Sequence, residues 1–224
     1  GIDTISENLY KYGFGQKTYL DLYGEKTGLI PDRKWKSKTK QEPWYPGETL
    51  NVGIGQGYFL ATPMQLTLAT STLSNDGNTF IPHLLLSYKD NKTKELTMYD
   101  PDNNKFYTQM KNQDYLEIVK NAMWRVVNEK RVGTASHMKK VGDIEYAGKT
   151  GTAQVYNLDK GKTGTKSLQD HALFISYAPF DKPEVVVTVI VEHGGGGSST
   201  AAPIARDIIE YYMNNKTQKV AINE

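Results

Sequence analysis

Val185-Val186-Val187-Thr188-Val189-Ile190-Val191 puts apolar side chains on both faces of one extended segment. A half-buried strand alternates apolar with polar; this run does not, and its pattern is that of a strand covered on both sides. Residues 171–178 form a second strand, and the Pro179-Phe180-Asp181-Lys182-Pro183 turn joins the two as an antiparallel hairpin. A covered strand needs a hydrogen-bonding neighbour along each edge. Residues 171–178 can be one. After Val191 come only a glycine run, a helix and a polar tail, so the other neighbour is expected from residues preceding Gly1.

Working outward, residues 144–156 read as a further strand. Gly194 to Gly197 read as a flexible connection, and Ser199 or Thr200 as the cap of a last helix with Ile204, Ile208, Ile209 and Tyr212 on one face. Residues 214–224 are polar and expected to fray. Leu116, Val119, Met123, Val126 and Val127 recur at helical spacing within 114–129. Residues 83–88 and 95–99 read as a hairpin around Asp90-Asn91-Lys92. Thr62-Pro63 starts a helix that runs to about Leu73 and stops at Asn75-Asp76-Gly77. Residues 3–12 read as a helix capped by Asp3 or Thr4, with Glu7 completing a capping box and Gly13 as the stop. Residues 13–57 show no sustained period and are expected to form long loops with one short turn of helix.

The 224 residues suffice for one domain with a sizeable core or two small ones. A net charge of +2 gives no argument for nucleic acid. The absence of cysteine excludes disulfides and thiolate metal sites. His83, His137, His171 and His193 have no metal-ligand spacing, so no metal site is expected, nor any cofactor. No apolar run approaches the ~20 residues of a membrane helix. Gly1 follows no basic–apolar leader pattern, so the chain is expected to begin inside a longer protein.

The chemistry-bearing stretch is Tyr146-Ala147-Gly148-Lys149-Thr150-Gly151-Thr152-Ala153-Gln154-Val155. A lysine and two hydroxyls on a strand edge suit an anionic, extended peptide: the ammonium attracts a carboxylate and the hydroxyls donate to it. Gly151 lets a ligand backbone come close, and a strand N–H such as that of Thr152 can serve an oxyanion. Lys-Thr-Gly alone arises by chance in roughly one chain in twenty of this length. Lys162-Thr163-Gly164-Thr165 repeats it in a Gly/Lys loop without apolar alternation. A phosphate loop is a poor rival, since Asp143 stands where its first glycine belongs and a strand follows. Gly53-Ile54-Gly55-Gln56-Gly57-Tyr58 likewise lacks the third glycine of a dinucleotide fingerprint.

Gly1-Ile2-Asp3, Gly13-Phe14-Gly15, Gly28-Leu29-Ile30-Pro31, Arg33-Lys34-Trp35-Lys36, Pro43-Trp44-Tyr45, Gly47-Glu48-Thr49, Gly53 to Tyr58, Ala61-Thr62-Pro63-Met64-Gln65, Lys149 to Val155 and Asp170-His171 occur in that order. In this the chain resembles the class B penicillin-binding proteins, most closely the elongation-specific branch of penicillin-binding protein 2 type. The likeness runs to about Met213, so residues 1–213 are expected to be the carboxy-terminal part of a transpeptidase domain and 214–224 a polar tail. The resemblance implies an α+β fold, an antiparallel sheet flanked by helices, of the kind shared with serine β-lactamases and incomplete in this chain. It implies a serine D,D-transpeptidase that cross-links peptidoglycan stem peptides and is acylated by β-lactams. Lys149, Thr150, Gly151 and Thr152 then bind substrate, and Lys149 and Thr152 also take part in catalysis. The nucleophile lies outside the chain, which alone should be inactive. Implied partners are the upstream portion of the same protein, the scaffold MreC and a membrane glycosyltransferase of RodA type. The implied location is the periplasm, anchored in the inner membrane. A β-lactamase or β-lactam sensor of the same fold and a non-catalytic scaffold module are the alternatives.

Within the chain, Ser37-Lys38-Thr39-Lys40, Ser136-His137-Met138-Lys139 and Ser6-Glu7-Asn8 match the family's serine motifs in letters but not in context. His171 beside Asp170 reads as a histidine fixed by neighbouring backbone rather than an acid–base pair. The basic run Arg33 to Lys40 reads as a solvated face, with contact to an anionic cell-wall polymer or a partner as the sharper alternative. Trp44 and Trp124 read as packing residues.

Overall fold

The computed structural model describes residues 1–99, 113–138, 140–154 and 169–220. The second Lys-Thr-Gly copy at 162–165, Lys139, the expected strand end at Val155 and Tyr156, and residues 221–224 lie outside them. The chain divides into two compact units, residues 1–111 and 112–224.

The first unit contains α1 (Ile2–Lys11), α2 (Arg33–Lys40), α3 (Pro46–Gly53), α4 (Pro63–Ser74) and a short hairpin, β1 (Ser87–Lys89) with β2 (Leu96–Met98). The cap of α1 is Gly1, without a side-chain bond, so Asp3, Thr4 and Glu7 lie inside the helix. What fixes α1 is Ser6, buried, with its hydroxyl 2.9 Å from the carbonyl of Ile2 and 2.8 Å from that of Pro31. The loop expected over 13–57 contains two helices. Asp32 accepts the Trp35 N–H at 2.6 Å to start α2, and Glu48 accepts the Tyr45 N–H at 2.8 Å to start α3.

These two helices are joined by a buried charge. Lys36 is 1% exposed, 2.5 Å from Glu48 and 3.4 Å from Glu42, with its ammonium 4.4 Å from the centre of the Tyr45 ring. The basic run is therefore not wholly solvated. Burial alone would lower the pKa of Lys36, but the bonds to Glu48 and Glu42 outweigh it and the pKa is raised. The bond from Lys36, then that from the Tyr45 N–H, holds Glu48 below its usual range.

At α4 the expected cap is present in full: the Thr62 hydroxyl accepts from the Gln65 N–H at 3.1 Å and the Gln65 side chain accepts from the Thr62 N–H at 2.9 Å. The Gln65 amide, fully buried, donates to the carbonyls of Gln16 at 2.7 Å and Thr27 at 2.8 Å. It thereby ties two loops to one helix start. Beside it Gly28, at φ +63°, passes so close to the Leu60 carbonyl that a Cβ would lie 2.3 Å from the oxygen.

The second unit contains α5 (Gln113–Asn128), β3 (Ala147–Ala153), β4 (His171–Ala178), β5 (Val185–Val191), a π-helical turn (Gly197–Ala201) and α6 (Ala202–Val220). The sheet is antiparallel in the order β3-β4-β5. One face carries Ala172, Phe174, Val187 and Val189, buried with Tyr146, Val127 of α5, and Ala201, Ala202, Ala205 and Ile209. β5 pairs only with β4 among the described residues, so the strand read as central stands at an edge here, with Ile190 36% exposed.

The last helix departs from expectation in its cap, its inward stripe and its length. Neither hydroxyl caps it: Ser199 and Thr200 donate backwards, to the carbonyls of Gly196 at 3.1 Å and Gly194 at 2.8 Å, and Gly196 holds the cap position. Its inward stripe is also smaller than expected. Ala202, Ala205 and Ile209 are buried, while Ile204, Ile208 and Tyr212 are partly exposed. Alanines let the helix axis approach the sheet more closely than isoleucines would. The helix runs on to Val220, into the polar residues expected to fray.

Candidate functional site

The Lys-Thr-Gly motif lies on β3, whose other edge pairs with no strand among the described residues. Lys149 and Thr152 are exposed; Thr150 and Gly151 are half-buried. Alternation along the strand separates Lys149 and Gly151 from Thr150 and Thr152. The Lys149 ammonium folds back to donate to the Thr150 carbonyl at 2.7 Å. The Thr150 hydroxyl is 3.0 Å from that of Thr134, in the turns after α5. Thr134 carries no sequence signal, because the contact is made by a loop of no fixed pattern.

Two glycines set the shape of β3. At Gly148 the Phe174 ring, two residues away across the sheet, would lie 2.4 Å from a Cβ, so this glycine makes room for the core. Gly151 is approached instead by Gly197: a Cβ there would sit 2.4 Å from the carbonyl oxygens of both Gly151 and Leu173. The run expected to be a flexible connection thus packs, at its buried end, on the backbone of the motif strand.

The start of β4 holds the same run from the other side. His171 pairs with Ala153 across the sheet. Its Nδ1 accepts the backbone N–H of His193 at 2.9 Å, the backbone-fixed role expected of it. The two imidazole rings meet edge to face, 4.9 Å apart.

The decoy serines have structural partners or surface positions. Ser6 is used by α1, Ser136 donates to the Gly133 carbonyl at 2.8 Å, and Ser37 lies on the exposed side of α2. Trp44 and Trp124 donate to Thr49 and Glu145, each at 2.9 Å. In the first unit a depression of about 400 Å³ is lined by residues including Lys17, Tyr19, Tyr23 and Glu25. It contains none of the expected site residues. The Glu25 carboxylate is occupied by the N–H groups of Thr18 and Tyr19, at 2.7 and 3.1 Å, which makes it an organiser of that loop rather than a reactive acid.

The sequence that builds this edge strand and its glycine turn falls within a known family profile. The profile of the penicillin binding protein transpeptidase domain covers residues 1–210. The chain belongs to the penicillin-binding protein transpeptidase family. It is 40% identical to the peptidoglycan D,D-transpeptidase MrdA of Haemophilus influenzae, over 98% of this chain and 34% of that protein. It is 37% identical to MrdA of Escherichia coli K12, over 84% of this chain and 30% of that one. The chain thus spans about a third of the length of the curated relatives it matches. Among solved structures, Pseudomonas aeruginosa PBP2 in complex with WCK 5153 superposes with a TM-score of 0.78 at 39% identity, covering 95% of this chain and 44% of that one. Helicobacter pylori PBP2, in its complex with MreC, gives 0.72 at 33%, covering 98% and 36%. The transpeptidase family explains why helices and an antiparallel sheet occur together here, as the α+β expectation required.

Proposed function

We propose that residues 1–213 are the carboxy-terminal part of a peptidoglycan D,D-transpeptidase domain that acts during cell elongation, and that β3 is one wall of its substrate groove. The observation that carries this reading is the exposure of Lys149 and Thr152 on an edge strand. An extended stem peptide can lie along such an edge as an added strand. The Lys149 ammonium, on a flexible stem, leaves the Thr150 carbonyl to meet the peptide's terminal carboxylate, and the threonine hydroxyls donate to the same group. Gly151 lets the peptide backbone approach, and the Thr152 N–H serves the oxyanion.

The nucleophile is a serine from upstream residues of the same protein. Its oxygen bonds to the penultimate D-Ala carbonyl carbon, the amide C–N bond breaks, and terminal D-Ala leaves with a proton. The amine of a neighbouring stem then attacks the ester, forms the cross-link and returns the serine. A β-lactam acylates the same serine when its ring amide opens. An upstream strand beside β5 would pair with its open edge. The Helicobacter pylori complex supports an MreC scaffold as a partner, and a periplasmic domain on an inner-membrane anchor beside a RodA-type glycosyltransferase completes the proposal.

The test is D-Ala release from a pentapeptide donor by the full-length protein. Lys149→Ala should lower the rate by about a hundredfold, the scale of losing one transition-state contact. Release at the wild-type rate would remove β3 from the site.

A further inference from the structure

Between β5 and α6 the chain makes a strained turn that rests on the motif strand. His193 has φ +53°, a left-handed conformation rare for a residue with a side chain. Such a conformation persists only where the surroundings hold it. Three hydrogen bonds do so, all from the turn to the entry of β4. His193 Nδ1 lies 3.1 Å from the Gln169 carbonyl, the Gly195 N–H donates to the Asp170 carbonyl at 2.8 Å, and the His193 N–H donates to His171 Nδ1 at 2.9 Å. Only the third uses a side chain of residues 169–171 as acceptor. Because Nδ1 accepts, a neutral His171 carries its proton on Nε2. Downstream, Gly197 reaches the backbone of Gly151 and Leu173, with no room for a Cβ.

If β3 is the substrate wall, as proposed above, the seat of this turn sets how far Gly151 and Thr152 stand from the substrate backbone. We infer that His171 is a positioning residue for acylation. Its Nδ1 fastens the turn at His193, the turn lays Gly197 on Gly151, and β3 is thereby held in register for the peptide. His171 touches no substrate in this account and exchanges no proton with it; it works solely as a hydrogen-bond acceptor at a fixed point.

Two substitutions separate that role from others in the full-length protein. His171→Phe keeps a ring and removes the acceptor. His171→Asn places a carbonyl oxygen close to where Nδ1 stood. Amide hydrogen exchange across 193–197 and the second-order rate of acylation by a fluorescent penicillin are read for both. The Phe variant should exchange faster in the turn and acylate about tenfold more slowly, since displacements near 1 Å cost up to about a hundredfold. The Asn variant should recover both to within about twofold. Unchanged exchange in the Phe variant overturns the fastening. Faster exchange with wild-type acylation overturns the positioning role, and so does an Asn variant as slow as the Phe variant. If the Phe variant does not fold, the Asn variant decides alone, by recovering both readouts or failing to. A wild type that takes up no penicillin sinks the transpeptidase reading and the acylation role with it, and the exchange data distinguish that failure from a failure of the fastening.

Discussion

Gly197 and Tyr146 show how single groups fix the second unit. A methyl at Gly197 has no place to go, because both oxygens it would meet are backbone atoms of β3 and β4. Gly197→Ala should therefore push the turn off Gly151, destabilise the protein by about 1–3 kcal/mol and slow acylation, as read by thermal unfolding together with penicillin labelling. A variant with the wild-type melting point and rate would show the contact to be slack. Tyr146 makes the opposite kind of point. Its hydroxyl is buried and meets no hydrogen-bond partner among the described residues, and burial pushes its pKa from 10.0 up to about 12. The unfolded chain releases this proton first, so the Tyr146 contribution to stability falls as pH rises from about 10 to about 12. Tyr146→Phe should flatten that decline in unfolding free energy and cost little at neutral pH; an unchanged slope would contradict the assignment. Lys149 could be found in the sequence because motif and strand pattern coincide there. Gly197 and Thr134 could not, because their partners lie far away along the chain and neither contact leaves a periodic trace.

Among the elements, α2 and α3 were hidden for a physical reason. Periodicity finds helices by their apolar stripe, and the residue that α2 buries is Lys36. Its charge is matched by Glu48 from a different helix, which no local pattern announces. Removing one partner should hurt more than removing both. Lys36→Ala or Glu48→Gln should lower the melting temperature of the first unit, and Lys36→Met with Glu48→Gln should regain part of the loss. A double variant worse than either single one would contradict this. The pH signs agree with a pair charged over a wide range. The depressed Glu48 gives stability above its unfolded pKa that is lost as pH falls through its lower folded value. The raised Lys36 gives stability below its unfolded pKa that is lost as pH rises through its higher folded value. Unfolding followed by pH should therefore show no titration of this pair between about pH 6 and 9. In α6 the pattern was visible but its inward face was misjudged, since close packing on the sheet selects alanine over isoleucine.

For the molecule as a whole, the hairpin of β4 and β5 was legible from the unbroken valine run and its turn. The antiparallel order β3-β4-β5 agrees with that reading. The one-sided pairing of β5 is what the proposed upstream strand explains, a neighbour that sequence periodicity could require but not supply. In the proposed transpeptidase this chain provides the wall and an upstream segment provides the nucleophile. Mass spectrometry of the full-length protein after exposure to a penicillin tests it directly, with the acylated residue mapped and the Lys149→Ala variant run in parallel. The prediction is a single adduct on a serine outside residues 1–224, much depleted in the variant. An adduct on Ser6, Ser37 or Ser136, or equal labelling of the Lys149→Ala protein, would contradict it.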